Sequence, residues 1–402
     1  MTGDPDLIEL EVGAPAHGGH CVARHEGRVV FVRHAIPGER VRARLTEAGE
    51  SDRFWRADAV EILEESPDRV ASPWPEAGPG GVGGGELGHV ALPAQRAWKL
   101  RILREAFERF AHRDFPGEVA AAAGDDARAG LGWRTRATAT ADAEGRAAMH
   151  GYRSDALLAL DSLPIACGPV EEALLGGRFP AGARVQAVAP GGEGPARVLV
   201  DGAPWKGGRA DRRDNAPRRV RERVATTHGE WGYQLDVGGF WQVHREAPAT
   251  LVGAVLDRVG EARSVLDLYA GAGLFTVPLA SQGRAVTAIE ADPRAARDAR
   301  RNVHDLPTAS IVHGDVRRSL VEGQGAEAVV LDPPRAGAGR KTLDALVPVG
   351  AERLVYVACD PVALARDTAL LAERGYALDE AQAFDLFPMT HHVETVATFV
   401  RE

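Results

Sequence analysis

The sequence predicts an α/β protein in three parts: a small all-β barrel, a mixed central segment and a C-terminal doubly wound parallel sheet. Residues 7–65 alternate apolar and polar positions in short runs broken by Gly and Pro, such as LIELEVG, RVVFVRHAIPGE and FWRADAVEILEE. That period of two is the signature of half-buried strands. From about residue 250 the rhythm changes. Apolar runs of four to six residues (SVLDLYAG, AVTAIEAD, AEAVVLDPP, LVYVACD) alternate with helical stretches such as PRAARDARRNVHD and VALARDTALLAERG, the pattern of a parallel sheet covered on both faces. With 402 residues, 45% of them hydrophobic, the chain has material for at least two cores.

Taken in order, the barrel segment carries more carboxylates than arginines and is not an obvious phosphate clamp. The glycine-crowded stretch SPDRVASPWPEAGPGGVGGGELGH reads as a flexible connector. Residues 93–112, PAQRAWKLRILREAFERFAH, have Pro93 at a helix start and apolar positions at helical spacing. Residues 115–235 are mixed and short-stranded. Within them KGGRADRRDNAPRRVRER, 206–223, holds eight basic and three acidic residues. This run is either a solvated loop or a surface that tracks an RNA backbone.

Several classes of function are excluded or disfavoured. No apolar run reaches the length of a spanning helix, and the acidic N-terminus lacks a secretory layout, so a cytoplasmic location is expected. Three dispersed cysteines, Cys21, Cys167 and Cys359, cannot build a disulfide framework or a four-cysteine metal site within one chain. The net charge of −9 argues mildly against a polyanionic partner, although phosphate binding depends on local patches.

Ligands of doubly wound sheets sit beyond the carboxyl ends of the strands, so the residues there carry the chemistry. The first strand ends in Asp267-Leu-Tyr269-Ala-Gly271-Ala-Gly273, a turn that lets the backbone approach a ligand closely. Glu290 ends the next strand, where a carboxylate binds ribose hydroxyls. Thr276 stands where a dinucleotide fingerprint wants a third glycine, which favours S-adenosyl-L-methionine over NAD. Asp315 follows the third strand, placed for an adenine edge. Asp332 opens Asp-Pro-Pro-Arg335 after the fourth, where amine methyltransferases would place an aromatic ring instead of Arg335. Cys359 follows the fifth strand, a position suited to an activated thiolate. Glu394 stands just ahead of the last strand as a candidate base. His391 and His392, being adjacent, are expected to point in different directions and not to form a metal site.

Together with FWQVH at 240–244 and FPMTHHVET at 387–395, these motifs resemble those of the bacterial RNA uracil-C5 methyltransferases acting on ribosomal and transfer RNA. The resemblance implies a Rossmann-like class I methyltransferase domain over 236–402, a central domain over 67–235 and an OB-like TRAM barrel over 1–66. It implies S-adenosylmethionine bound by Gln242, Tyr269, Glu290 and Asp332; Gly271, Gly273 and Asp315 are the further cofactor candidates from their places at the strand ends. Cys359 is then the nucleophile and Glu394 the base that removes the C5 proton. The implied partner is RNA, 23S ribosomal RNA ahead of transfer RNA, with no membrane or DNA partner and a monomeric enzyme.

Two departures stand out. Asp360 replaces the family's usual Asn after the cysteine and should disfavour the thiolate. Several ribosomal-RNA members place three cluster-binding cysteines in the connector and a fourth downstream. Here the aligned positions are Trp74, Val82 and Gly85, with only Cys167 remaining, so no iron–sulfur cluster is expected. Cytosine-C5 methylation is the weaker enzymatic alternative, because those enzymes use a second cysteine that LDPPRAGAG lacks. The non-enzymatic alternative is an RNA-binding or chaperone protein.

Overall fold

The computed structural model describes residues 7–49, 51–320 and 325–402; residues 1–6 of the expected barrel segment lie outside them. The barrel consists of β1 (Leu7–Glu11), β2 (Pro15–Ala16), β3 (His20–His25), β4 (Arg28–Arg33), β5 (Arg40–Glu47) and β6 (Phe54–Glu64), in the sheet order β1-β5-β6-β4-β3-β2. Alternation works as the sequence implies. Leu10, Cys21, Ala23, Val30, Val32, Val41, Ala57 and Ala59 fill the interior, and their neighbours face out.

The connector is packed against the central domain. Trp74 is buried to 2% exposure, and Val82 bridges in antiparallel fashion to Gly151 of the central domain. A Cβ at Gly85 would stand 2.8 Å from Ala77 Cβ and 2.9 Å from Trp74 Cε3, so glycine is what lets the chain close over the indole. Trp74, Val82 and Cys167 share one apolar core with Trp133, Leu163 and Val170. Glycine content suggested freedom; a large aromatic anchor removes it.

Next come α1 (Leu92–Ala106), extended by a wider turn over Phe107–Ala111, and β7 (Val119–Ala121). The central domain follows with β8 (Arg136–Ala141), β9 (Ala147–His150), β10 (Leu157–Ala159), α2 (Gly168–Leu175), β11 (Arg184–Val188), β12 (Arg197–Val200), β13 (Ala203–Lys206) and β14 (Arg209–Ala210). Its seven strands lie in the order β10-β9-β8-β11-β12-β13-β14. Then β15 (Arg219–Thr226) and β16 (Gly229–Asp236) form a hairpin.

The C-terminal domain runs α3 (Ala247–Val259), β17 (Ser264–Leu268), α4 (Thr276–Ser281), β18 (Ala285–Glu290), α5 (Pro293–Asn302), β19 (Ala309–His313), α6 (Val316–Ser319), β20 (Ala328–Leu331), α7 (Gly339–Leu346), β21 (Arg353–Ala358), α8 (Pro361–Ala372), β22 (Tyr376–Asp385) and β23 (Glu394–Arg401). Its sheet has the order β19-β18-β17-β20-β21-β23-β22-β7. The first five are parallel, and β23 enters antiparallel between β21 and β22. One face packs α3, α4 and the hairpin residues Val220, Trp231 and Tyr233; the other packs α1, α7 and α8.

Packing thus redraws the boundary expected at 235/236. The hairpin is tied to the C-terminal domain by Trp231 Nε1 to Ser281 Oγ at 2.7 Å and by Tyr233 Oη to the Leu274 carbonyl at 2.9 Å. Helix α1 and strand β7, assigned by sequence to the central domain, also pack on or extend the C-terminal sheet. Among the described residues no helix is long and apolar enough to cross a membrane.

Candidate active site

Every strand-end residue singled out from the sequence, Gln242 excepted, lies along the carboxyl edge of the parallel strands. At β17, Tyr269 has φ 62°, Gly271 φ 57° and Gly273 φ 90°, so the turn coils back through left-handed conformations before α4. Tyr269 adopts this conformation despite its side chain, a local strain that marks functional turns. Glu290 locks the turn: its carboxylate accepts the Gly271 N–H at 2.7 Å and the Asp292 N–H at 2.6 Å.

Asp267 is buried at 1% exposure. One oxygen accepts the Thr276 hydroxyl at 2.5 Å and the other has no partner among the described residues. Asp315 is exposed and caps α6 by accepting the Arg318 N–H. Gln242 comes from the segment between β16 and α3 and is only 8% exposed. That segment is anchored on the central domain: Val243 O accepts the Thr135 N–H at 2.7 Å, and His244 stacks on Trp133 and bonds Asp125. Phe240, in the same motif, is 75% exposed.

The β21–β23 register brings the two candidate catalytic groups together. Ala358 pairs with Thr395 at the end of the ladder. Continued by one residue, the antiparallel register sets Cys359 opposite Glu394, which is only 5% exposed. In β20, Asp332 follows Leu331, and its N–H reaches the Leu268 carbonyl at 3.3 Å. Asp267, Asp332, Glu394 and Cys359 thereby form one acidic cluster.

Electrostatics follow from that crowding. Burial pushes Asp267 up to about 7, with Glu290 adding to it. Burial and the Asp267 carboxylate push Asp332 up to about 7. Burial and Asp332 raise Glu394 well above the carboxylate range. The Cys359 thiol is pushed up to about 12 by burial, then Glu394, then Asp332, against a smaller opposing pull from Arg335. Asp360 adds to the rise as expected, but less than these. Its carboxylate is otherwise engaged, capping α8 through the Ala363 N–H at 2.8 Å and pairing with His17 Nε2 of the barrel at 3.2 Å. Crowding in one low-dielectric cleft thus raises Asp267, Asp332, Glu394 and Cys359 together, and a nearby cation would favour their ionised forms.

Sequence reasoning missed the residues that hold this site in place. Asp367, 3% exposed, accepts the Ala338 N–H at 2.7 Å and the Tyr356 hydroxyl at 2.7 Å, fixing the loop after Asp-Pro-Pro. Lys99 of α1 bonds Asp385 at 2.5 Å and the Phe387 carbonyl at 3.0 Å. Gln95 accepts the Met389 N–H at 2.8 Å, and Glu86 accepts from both the backbone and the ring of His391. These three clamp residues 385–391, the loop that delivers Glu394. Only a buried lysine at a helical apolar position, Lys99, hinted at this in the sequence. Contrary to expectation, the rings of His391 and His392 lie together, 4.1 Å apart, with His391 also bonded to Glu86.

The unpartnered Asp267 oxygen, the buried Gln242 amide, the bonded Glu290 carboxylate and the left-handed glycine turn fit an adenosyl group carrying a sulfonium. The turn allows close approach, Glu290 keeps lone pairs for ribose hydroxyls, and the acidic cluster suits positive charge.

A family model described as tRNA (Uracil-5-)-methyltransferase matches residues 320–401, a TRAM domain model matches 7–60, and a TRM5/TYW2 methyltransferase domain model matches 226–350. An RNA methyltransferase of Streptomyces avermitilis is 43% identical, covering 97% of each chain. The 23S rRNA (uracil(1939)-C(5))-methyltransferase RlmD of Shewanella amazonensis is 31% identical over 98% of this chain and 95% of its own. The Pyrococcus abyssi tRNA (uracil-54, C5)-methyltransferase, solved with S-adenosyl-L-homocysteine, superposes with a TM-score of 0.73 at 21% identity, covering 97% of this chain and all of the other.

Proposed function

The chain belongs to the S-adenosylmethionine-dependent RNA uracil-C5 methyltransferases, and from that premise we propose that it methylates a uridine of 23S ribosomal RNA through a covalent bond from Cys359 to uracil C6. The observation that carries the mechanism is the juxtaposition of Cys359 and Glu394 across the β21–β23 register.

Uracil C5 is too weak a nucleophile to be methylated directly. Cys359 Sγ, as thiolate, adds to C6 and places an enolate over O4, C4 and C5, so that C5 becomes nucleophilic. Bound S-adenosylmethionine supplies an electrophilic methyl group and a positive charge. That charge would lower the cost of the Cys359 thiolate, which the carboxylates of Glu394 and Asp332 otherwise raise. After C5 takes the methyl group, the Glu394 carboxylate removes the C5 proton. The freed electron pair re-forms the C5–C6 double bond and expels the Cys359 thiolate. A carboxyl held well above its ordinary pKa is a correspondingly strong base once ionised. Gln242, Tyr269, Glu290 and Asp332 hold the cofactor in this reading, with Gly271 and Gly273 shaping its turn and Asp315 at the rim. Phe240, highly exposed beside Gln242, is available to pack a flipped-out base.

The ribosomal target rests on the substrate of the Shewanella relative. Mapping 5-methyluridine by mass spectrometry in ribosomal and transfer RNA, with and without the gene, tests it. Loss at one 23S position is expected. Loss in transfer RNA moves the target to that class. Unchanged RNA together with no methyl transfer by the purified protein overturns the enzyme reading and leaves RNA binding.

A further inference from the structure

Asp360 puts a carboxylate one residue from the candidate nucleophile, where the family usually has Asn. Its two oxygens are divided between two tasks. Oδ1 accepts the Ala363 N–H at 2.8 Å and caps α8. Oδ2 lies 3.2 Å from Nε2 of His17, a ring contributed by the barrel. Burial works against its charge, but the His17 bond and then the Ala363 N–H hold Asp360 below the ordinary carboxylate range. Asp360 is therefore ionised at neutral pH, and its charge adds to the terms that keep the Cys359 thiol protonated.

The barrel is shaped to bring His17 to that place. Strands β2 and β3 pair Pro15 with Cys21 and Ala16 with His20, leaving His17, Gly18 and Gly19 as the turn between them. Cys21 is fully buried in the barrel core, so the turn is rooted at its base. At its tip Gly19 has φ 80°, and a Cβ there would stand 2.7 Å from Glu86 Cγ and 3.4 Å from His391 Cβ. Only glycine lets the turn settle this close to the catalytic loop. His17 then meets the His391 ring edge-on at 6.1 Å. Glu86 is engaged with His391, and Asp360 is the carboxylate that His17 pairs with. On the cleft side, Glu394 and Asp332 oppose the Cys359 thiolate and Arg335 favours it. An ion pair with one partner 45% exposed contributes little to stability, so the effect of this one lies in where it places charge.

We propose that His17, as imidazolium, offsets the Asp360 carboxylate beside Cys359, so that the seated barrel turn makes the nucleophile easier to ionise. His17 touches no reacting atom in this scheme; it is a positioning residue that acts through Asp360. The proposal rests on the reading of Cys359 as nucleophile and adds what allows a carboxylate to stand next to it.

The test follows alkylation of Cys359 by iodoacetamide in the full-length protein at pH 7.5, without RNA or cofactor, by peptide mass spectrometry. Removing one unit charge from beside the pair, in His17→Ala, is expected to slow alkylation by about 3- to 10-fold. His17→Gln keeps a hydrogen-bond donor without the charge and should be equally slow, whereas His17→Lys should hold the wild-type rate. Asp360→Asn keeps a good cap for α8 and should raise the rate by about 3- to 10-fold. In that background His17→Ala has lost the charge it offsets and should change the rate by less than about twofold. With RNA and S-adenosylmethionine, kcat should follow the same order while KM for RNA stays near the wild-type value. Wild-type alkylation in His17→Gln, or an equal effect of His17→Ala in both backgrounds, would show a hydrogen-bonding or docking role and overturn the proposal. Faster alkylation in His17→Ala would overturn it as well, since the turn would then be shielding the thiol. Absence of methyl transfer by the wild-type protein would overturn the enzyme reading instead, and the alkylation series would still decide on the pair.

Discussion

Removing the Lys99 ammonium tests the claim that the loop leading to Glu394 is held by a buried ion pair. Both side chains are sealed, at 0% exposure for Lys99 and 1% for Asp385. Asp385 Oδ1 bonds Nζ, while Oδ2 has no partner among the described residues. In Lys99→Met the carboxylate would stand buried with neither oxygen paired, a loss of about 3–5 kcal/mol. The Phe387 carbonyl also loses its donor. Urea unfolding followed by circular dichroism at pH 8 reads the magnitude. Adding Asp385→Leu should recover most of the loss, because the stranded charge is gone. A cost below about 1 kcal/mol at pH 8, or one that Asp385→Leu does not relieve, would refute the reasoning.

Trp74→Ala should cost about 3–5 kcal/mol, as for a large core aromatic, measured as a shift in urea midpoint; a flexible connector would lose almost nothing. In the free protein the Cys359 thiol is held up to about 12, so its alkylation by iodoacetamide, followed by peptide mass spectrometry, should rise tenfold per pH unit from 7 to 10, where an ordinary thiol levels off near 8.5. Asp332, raised to about 7, binds its proton more tightly folded than unfolded. Its stabilising contribution is complete below about pH 4 and is lost as pH rises through 7. Asp332→Asn should therefore raise thermal stability at pH 8 and not at pH 4, while lowering methyl transfer; a midpoint shift equal at both pH values would contradict this.

The carboxyl-edge residues were legible because a doubly wound sheet puts its chemistry where apolar runs end, and Asp267, Glu290, Asp332 and Cys359 each end one. The barrel was legible from strict alternation. Non-local partners were not. Lys99 and Asp385 are 286 positions apart, and Glu86 and His391 are 305, so no periodicity couples them. The connector misled because glycine reports backbone freedom only until a neighbour such as Trp74 fills the space beside it. The hairpin at 219–236 read as central because its strands resemble those before it. Its allegiance is decided by Trp231 and Tyr233, whose polar atoms find partners on the helical layer of the C-terminal domain.

The covalent role of Cys359, with Glu394 as the base, is tested most directly by incubating Glu394→Gln with substrate RNA and S-adenosylmethionine and resolving the products under denaturing conditions. The account predicts a trapped species in which a methylated uracil is joined through C6 to Cys359, identified by nuclease digestion and peptide mass spectrometry, and absent when Cys359 is also changed to Ala. Released 5-methyluridine at the wild-type rate with no such species, or methyl transfer that survives Cys359→Ala, would contradict it.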